Sequence, residues 1–173
     1  MPVAHLFSAY IGFGKTTIAK EIESKTGAVR VTPDDIIKEM FGTNISDDFM
    51  SKAAQAEQVA WNRIQQAIQN GKDVIYDAGY WTPESRKYAT ERIMSLGAKP
   101  VWHQIQCDIS VAKRRTLARS QSGNELSIDE KFFNENLAKY SPISIDEKLN
   151  VIYHDNSVVK NLMALKAKTG ENI

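Results

Sequence analysis

Ser8-Ala9-Tyr10-Ile11-Gly12-Phe13-Gly14-Lys15-Thr16-Thr17 decides how this chain is read, because it stands between an apolar run at 3–7 and a stretch of helical spacing at 15–26. A glycine, four residues and then Gly-Lys-Ser/Thr, entered from a strand and left through a helix, make a phosphate-binding loop. Gly14-Lys15-Thr16 supplies the second half of that pattern, and Ala9 stands where its first glycine belongs. Glycines let successive backbone amides turn inward as an anion-binding concavity, and the helix that follows adds the positive end of its dipole. Ala9, Tyr10, Ile11, Gly12, Phe13, Gly14, Lys15, Thr16 and Thr17 are therefore expected to cradle a nucleotide's phosphates. Lys15 would span the β and γ phosphates, Thr16 would offer its hydroxyl to Mg²⁺, and Thr17 would pack against the sheet. Alanine at the first position is compatible with the turn wherever φ is negative.

Outward from the loop, further short apolar runs at 28–31, 73–76, 100–106 and 149–153 are rich in Val, Ile and aromatics and read as strands. Between and after them lie helical patterns at 34–41, 50–70, 83–96, 110–119, 128–139 and 157–168. Strands alternating with helices predict an α/β fold with a parallel sheet covered on both faces. In 50–70 the residues Ala53, Ala56, Ala60, Ile64, Ala67 and Ile68 form an apolar stripe that ends at Asn70-Gly71, and its length suggests a wall over a pocket. Thr82-Pro83-Glu84 offers a capping hydroxyl with proline at the first helical position, and Gly97 closes that helix. Ser120 to Asn124 is polar and rich in breakers, which predicts a loop between two helices.

Length and composition set the bounds. A chain of 173 residues, 42% hydrophobic and 25% charged, is sized for one domain with a full core. A formal charge of +1 excludes the global basic field that drives nucleic-acid binding through phosphate contacts. The start, Met1 to Phe7, has neither a charged n-region nor a long apolar stretch, so a cytoplasmic protein with no membrane partner is expected. Cys107 is the single cysteine and reads as a buried core thiol. His5, His103 and His154 have no metal-ligand spacing and suit core or surface roles.

Three more constellations carry chemistry. In Val29-Arg30-Val31-Thr32-Pro33-Asp34-Asp35 a carboxylate pair follows a strand at the edge where parallel sheets bind ligands. Asp34 would accept a proton from an attacking hydroxyl and Asp35 would cap the helix, although Asp in this place serves capping in general. Asp73-Val74-Ile75-Tyr76-Asp77 is an apolar strand ending in a carboxylate, so Asp77 would hold Mg²⁺ through water or orient the acceptor, unless it only starts a turn. Arg115 and Arg119, four apart, share a helical face beside the polar loop. A lid over about 110–127 that clamps phosphate oxygens competes there with a solvated basic helix. Trp61 and Trp81 could line an acceptor pocket or pack internally.

Taken together, these elements resemble the small P-loop kinases of the AAA-type ATP-binding group, which include the 5′-kinase domain of polynucleotide kinase, chloramphenicol phosphotransferase and zeta-toxin-like enzymes. The match runs from about residue 3 to 155 and is strongest at Gly12 to Thr17, Thr32 to Asp35, Asp77-Ala78-Gly79, Thr82 to Arg86, and Arg115 with Arg119. The resemblance implies a three-layer, nucleoside-kinase-like P-loop fold with a five-stranded parallel sheet of kinase-type order and a helical lid. It also implies ATP and Mg²⁺ as cofactors, Asp34 as general base, and Arg115 and Arg119 as lid arginines. Two departures matter: Ala9 for the first glycine, and Ile37 where polynucleotide kinases carry a phosphate-holding arginine, with Lys38 adjacent but expected to point elsewhere. The second, with the near-neutral charge, argues against nucleic acid and favours a small-molecule acceptor. An ATP-binding regulatory module, a polynucleotide 5′-kinase and a toxin-like kinase of sugar nucleotides are the rival readings.

Overall fold

The computed structural model describes residues 1–42, 48–120 and 128–157. Strands β1 (Val3–Ser8), β2 (Val29–Val31), β3 (Val74–Gly79), β4 (Lys99–Gln106) and β5 (Val151–Asp155) form one parallel sheet in the order β2-β3-β1-β4-β5. The helices are α1 (Lys15–Thr26), α2 (Pro33–Phe41), α3 (Phe49–Gln69), α4 (Pro83–Ser95), α5 (Ile109–Ser120) and α6 (Glu130–Leu137). The expected three-layer α/β architecture is thus present, with element ends within a few residues of those read from the sequence. Most of the helix expected at 157–168 and of the loop after Ser120 lies outside the described residues.

Side chains alternate across the strands, so each face of the sheet builds its own core. On one face Phe7, Ile75 and Ile105 pack with Ile18 and Ala19 of α1. On the other, Leu6, Val74, Tyr76 and Trp102 meet Ala60 and Ile64 of α3 and Ala89 and Ile93 of α4. Each fully buried Ile or Leu here contributes about 1.5–3 kcal/mol by leaving water. The apolar stripe of α3 is buried as its spacing requires, apart from Ala53, which is only partly covered. As a wall, however, α3 borders a separate hollow of about 460 Å³ through Arg63, Gln66 and Ala67, not the larger cleft described below.

Local chemistry sets the helix starts that matter for the site. Thr82 caps α4 through a reciprocal pair with Ser85: each hydroxyl accepts from the other's backbone amide at 3.2 Å, and Pro83 follows at the first helical position. Helix α2 begins at Pro33 with Thr32 in the capping position, so Asp35 stands in the first turn and is not the cap. The Arg86 side chain, completely buried, donates to Glu147 at 2.7 and 2.6 Å and to the Ser141 carbonyl at 2.8 Å, pinning α4 to the segment before β5. Cys107 is buried, and burial pushes its thiol up, as befits an inert core cysteine. Among the described residues no helix is long and apolar enough to cross a membrane.

Candidate active site

Strand β1 lies between β3 and β4, and the chain leaves it towards β2 on one side and reaches β4 on the other. Such a reversal opens a crevice at the carboxyl end of β1, where open α/β sheets take their ligands. The loop from Ala9 to Gly14 sits there. Beside it, β3 advances from Ile75 to Gly79 while β1 advances only from His5 to Phe7, an irregularity that turns Asp77 towards the loop.

Gly12 and Gly14 hold φ of +77° and +90°, a conformation that side chains rarely adopt, and so they reverse the chain within three residues. The amide of Phe13 donates to the Tyr10 carbonyl at 3.2 Å, closing the turn. Among the described residues, the amides of Gly12, Gly14, Lys15 and Thr16 make no backbone hydrogen bond. Four such donors at a helix start form the concavity that an anion fills. Ala9 does not have positive φ, so its Cβ costs the turn nothing. Phe13 is buried and packs edge-on with Tyr10 and Tyr140, which leaves its backbone and not its ring for the loop's work. Helix α5 lies directly over the loop: a Cβ on Gly12 would come 2.5 Å from the Ala112 carbonyl oxygen and from Thr116 Oγ1.

The loop forms one wall of a cleft of about 610 Å³. Lys15, Thr16 and Thr17 line it, and Thr17 is exposed there, not packed against the sheet as its sequence position suggested. Lys15 Nζ donates to the Asp77 carbonyl at 2.9 Å and pairs with the Asp77 carboxylate. That carboxylate is fully buried, accepts weakly from Thr16 Oγ1 at 3.4 Å, and is held at its other oxygen by Arg30 at 3.2 Å. Arg30 also reaches Thr32 Oγ1 at 2.6 Å and Glu23 of α1 at 3.0 Å, joining three elements around Asp77. Sequence reasoning misses Arg30, although a lone arginine inside the apolar strand Val29-Arg30-Val31 is a signal, since covering its charge demands a carboxylate partner.

Across the cleft stands Asp34, open to water through the mouth. Surrounding walls still displace enough solvent to push its carboxyl up; Lys15 draws it back down, and Asp77 raises it again. Ile37 is buried in the core while Lys38 lines the cleft, correcting the expectation that Lys38 points elsewhere. The reason is helical spacing: Lys38 is one turn beyond Asp34 and shares its face. Lys20, Arg30 and Arg119 add further positive charge to the walls. Arg115 does not line the cleft; its guanidinium faces Cys107 Sγ at 3.5 Å and the Asn156 carbonyl at 3.4 Å. Trp81 lines the cleft and donates to the Ala9 carbonyl at 3.1 Å, whereas Trp61 is buried in the core.

For Mg²⁺, the Thr16 hydroxyl offers a hard oxygen in the cleft. The adjoining Asp77 carboxylate does not line the cleft, and its oxygens are taken by Lys15 and Arg30, so it fits the ion only where Lys15 lets go of it. Among the described residues no group of three or more His, Cys, Asp or Glu side chains could hold a metal by itself.

No curated protein sequence matches the chain. Among solved structures, a protein from Chloroflexus aurantiacus superposes with a TM-score of 0.72 at 15% identity over 99% of both chains. The APS kinase of Mycobacterium tuberculosis gives 0.60 at 14% identity, over 97% of this chain and 96% of that one. A gluconokinase from Sinorhizobium meliloti gives 0.56 at 14% identity, over 98% and 90%. Identities this low establish a shared fold, that of the P-loop kinases. Residues 9–143, the phosphate loop included, match the AAA domain family. The chain therefore belongs to the AAA domain family and is built on the P-loop kinase fold.

Proposed function

We propose that this protein is an ATP-dependent kinase that moves the γ-phosphate of Mg·ATP onto a hydroxyl of a small-molecule acceptor. The observation that carries the reading is the pairing, across one cleft, of Lys15 and loop amides without a backbone hydrogen bond among the described residues on one wall with the Asp34 carboxylate on the other. A phosphate tail would lie along the amides from Gly12 to Thr16, with the Lys15 ammonium reaching from Asp77 to the phosphates. Asp34 would orient the acceptor hydroxyl and take its proton as that oxygen attacks the γ-phosphorus and ADP departs. The desolvating walls that push its carboxyl up make it a stronger base than a free aspartate. Arg119 would stabilise charge on the transferred group, with Arg115 entering only through rearrangement of α5. Mg²⁺ would be held by the Thr16 hydroxyl, with Asp77 joining through water once Lys15 has left its carboxylate for the phosphates, and would neutralise charge shared by the β and γ phosphates.

The rival is an ATP-binding regulatory module with no acceptor beyond water, and Ala9 is the feature that most favours it; a φ there that is not positive weakens that argument, because the loop turn tolerates alanine at that position. The M. tuberculosis neighbour is an APS kinase and the S. meliloti one a gluconokinase, and a chain of the Pnkp1/Rnl/Hen1 RNA repair complex shares the fold as well, so the fold alone does not choose the acceptor. Lys20 and Lys38 along the walls suit an acceptor that itself carries negative charge. A γ-labelled ATP transfer screen over sugars, nucleosides, antibiotics, sugar nucleotides and oligonucleotides tests the reading. Lys15→Ala should abolish nucleotide binding or turnover. Asp34→Ala should spare ATP binding and remove transfer, and full transfer by that variant would sink the base assignment.

A further inference from the structure

We infer that Asn156, immediately after β5, is a positioning residue that sets the phosphate loop from behind by holding the Phe13 carbonyl. The inference rests on the reading that the loop binds phosphate. Asn156 Nδ2 donates to the Phe13 carbonyl at 2.9 Å, across 143 residues of chain. Asn156 does not line the cleft, whereas Gly14 does, so the carboxamide grips the loop on the side away from the proposed phosphates.

The peptide joining Phe13 to Gly14 is trans, and in a planar trans peptide the C=O and the N–H point in opposite directions. Holding the Phe13 oxygen towards Asn156 therefore aims the Gly14 N–H the other way, and that amide makes no backbone hydrogen bond among the described residues. Without the grip, this peptide could rotate and offer its carbonyl to the cleft, an oxygen that repels phosphate. Glycine at 14 answers to the same contact. Its φ is +90°, and a Cβ there would collide with Asn156 Nδ2.

Asn156 is itself fixed. Its backbone amide donates to the Gln106 carbonyl at 2.8 Å, and its carbonyl accepts from Cys107 Sγ and Arg115 Nη2, both at 3.4 Å. The loop's conformation is thus tied to the ends of β4 and β5 and to α5. Because the acceptor is a carbonyl, only the amino end of the carboxamide can serve, which makes the isosteric Asn156→Asp change diagnostic.

Calorimetry with Mg·ADP on the full chain tests this. Asn156→Ala should weaken binding about fivefold and Asn156→Asp about tenfold or more, since the second sets a carboxylate against the Phe13 carbonyl. Acidification to about pH 5 should narrow the gap between Asn156→Asp and the unmodified protein, because a protonated carboxyl regains an O–H donor, while the Asn156→Ala gap stays constant. A purely structural residue would lower Tm without that rescue. In the unmodified protein the Asn156 carboxamide protons should exchange slowly with solvent, a readout that needs no variant to fold. Wild-type affinity in both variants, a gap indifferent to pH, or freely exchanging carboxamide protons would overturn the inference while the phosphate site stood. An unmodified protein silent towards Mg·ADP and Mg·ATP would instead sink the phosphate-site reading, and this inference with it.

Discussion

Replacing Glu147 by Gln should destabilise the protein by about 3–5 kcal/mol, the usual cost of leaving one member of a buried ion pair without its partner. Arg86 has no exposed surface, and both of its strongest contacts, at 2.7 and 2.6 Å, go to the Glu147 carboxylate. What would remain is the single neutral amide oxygen of the introduced glutamine, the Ser141 carbonyl at 2.8 Å and contacts of 3.4 Å to Ser8 Oγ, Tyr80 O and Pro142 O. Dipoles at those distances do not replace an anion for a guanidinium that has left water. At about 2–4 °C per kcal/mol for a chain of this size, Tm should fall by about 6–20 °C in thermal melts at neutral pH. The double change Arg86→Met with Glu147→Leu removes both charges but leaves the Ser141 carbonyl without its donor, so it should recover most of the loss and not all. The pair also fixes a pH dependence. Arg86 holds the Glu147 carboxyl below its ordinary value, so its contribution is present above the unfolded glutamate pKa of about 4.3 and lost as pH falls through the depressed folded value. Glu147→Gln should remove that part of the acid limb. A loss under about 1 kcal/mol would refute the reasoning, because it would mean that the pair is solvated and counts as a surface contact.

Two further outcomes follow from titratable groups. Burial raises the Asp34 pKa, so the carboxylate costs stability that is fully regained only below the unfolded value near 3.9 and is lost as pH rises. Asp34→Asn should accordingly raise Tm at pH 7 while abolishing transfer, and an unchanged Tm together with full transfer would contradict both assignments. His5, His103 and His154 form a chain of imidazoles at 2.9 and 2.8 Å, and burial pushes His103 down to about 3. A histidine kept neutral in the fold but protonated when unfolded lowers stability as pH falls from about 6.5, by up to about 1.4 kcal/mol per pH unit. His103→Gln should flatten the melting profile between about pH 6.5 and 4, and an unchanged slope would show that His103 is protonated in the fold.

What the sequence determined by itself was local and repetitive. Glycines with a lysine between a strand and a helix announce the phosphate loop, and alternation of apolar runs with helical spacing announces the layered sheet, because each pattern is dictated by the backbone geometry of its own segment. Thr82-Pro83 and the stripe of α3 were legible for the same reason. The sheet order came from resemblance, since pairing of distant strands leaves no periodic trace. Only the tertiary structure decided which side chains share a space: Arg30 locked to Asp77, Lys38 in the cleft with Ile37 in the core, Arg115 turned towards Asn156, and Asn156 gripping the loop from 143 residues away. Those contacts depend on the angle at which packed elements meet. A buried charge or carbonyl then takes whichever partner that packing brings within hydrogen-bond reach.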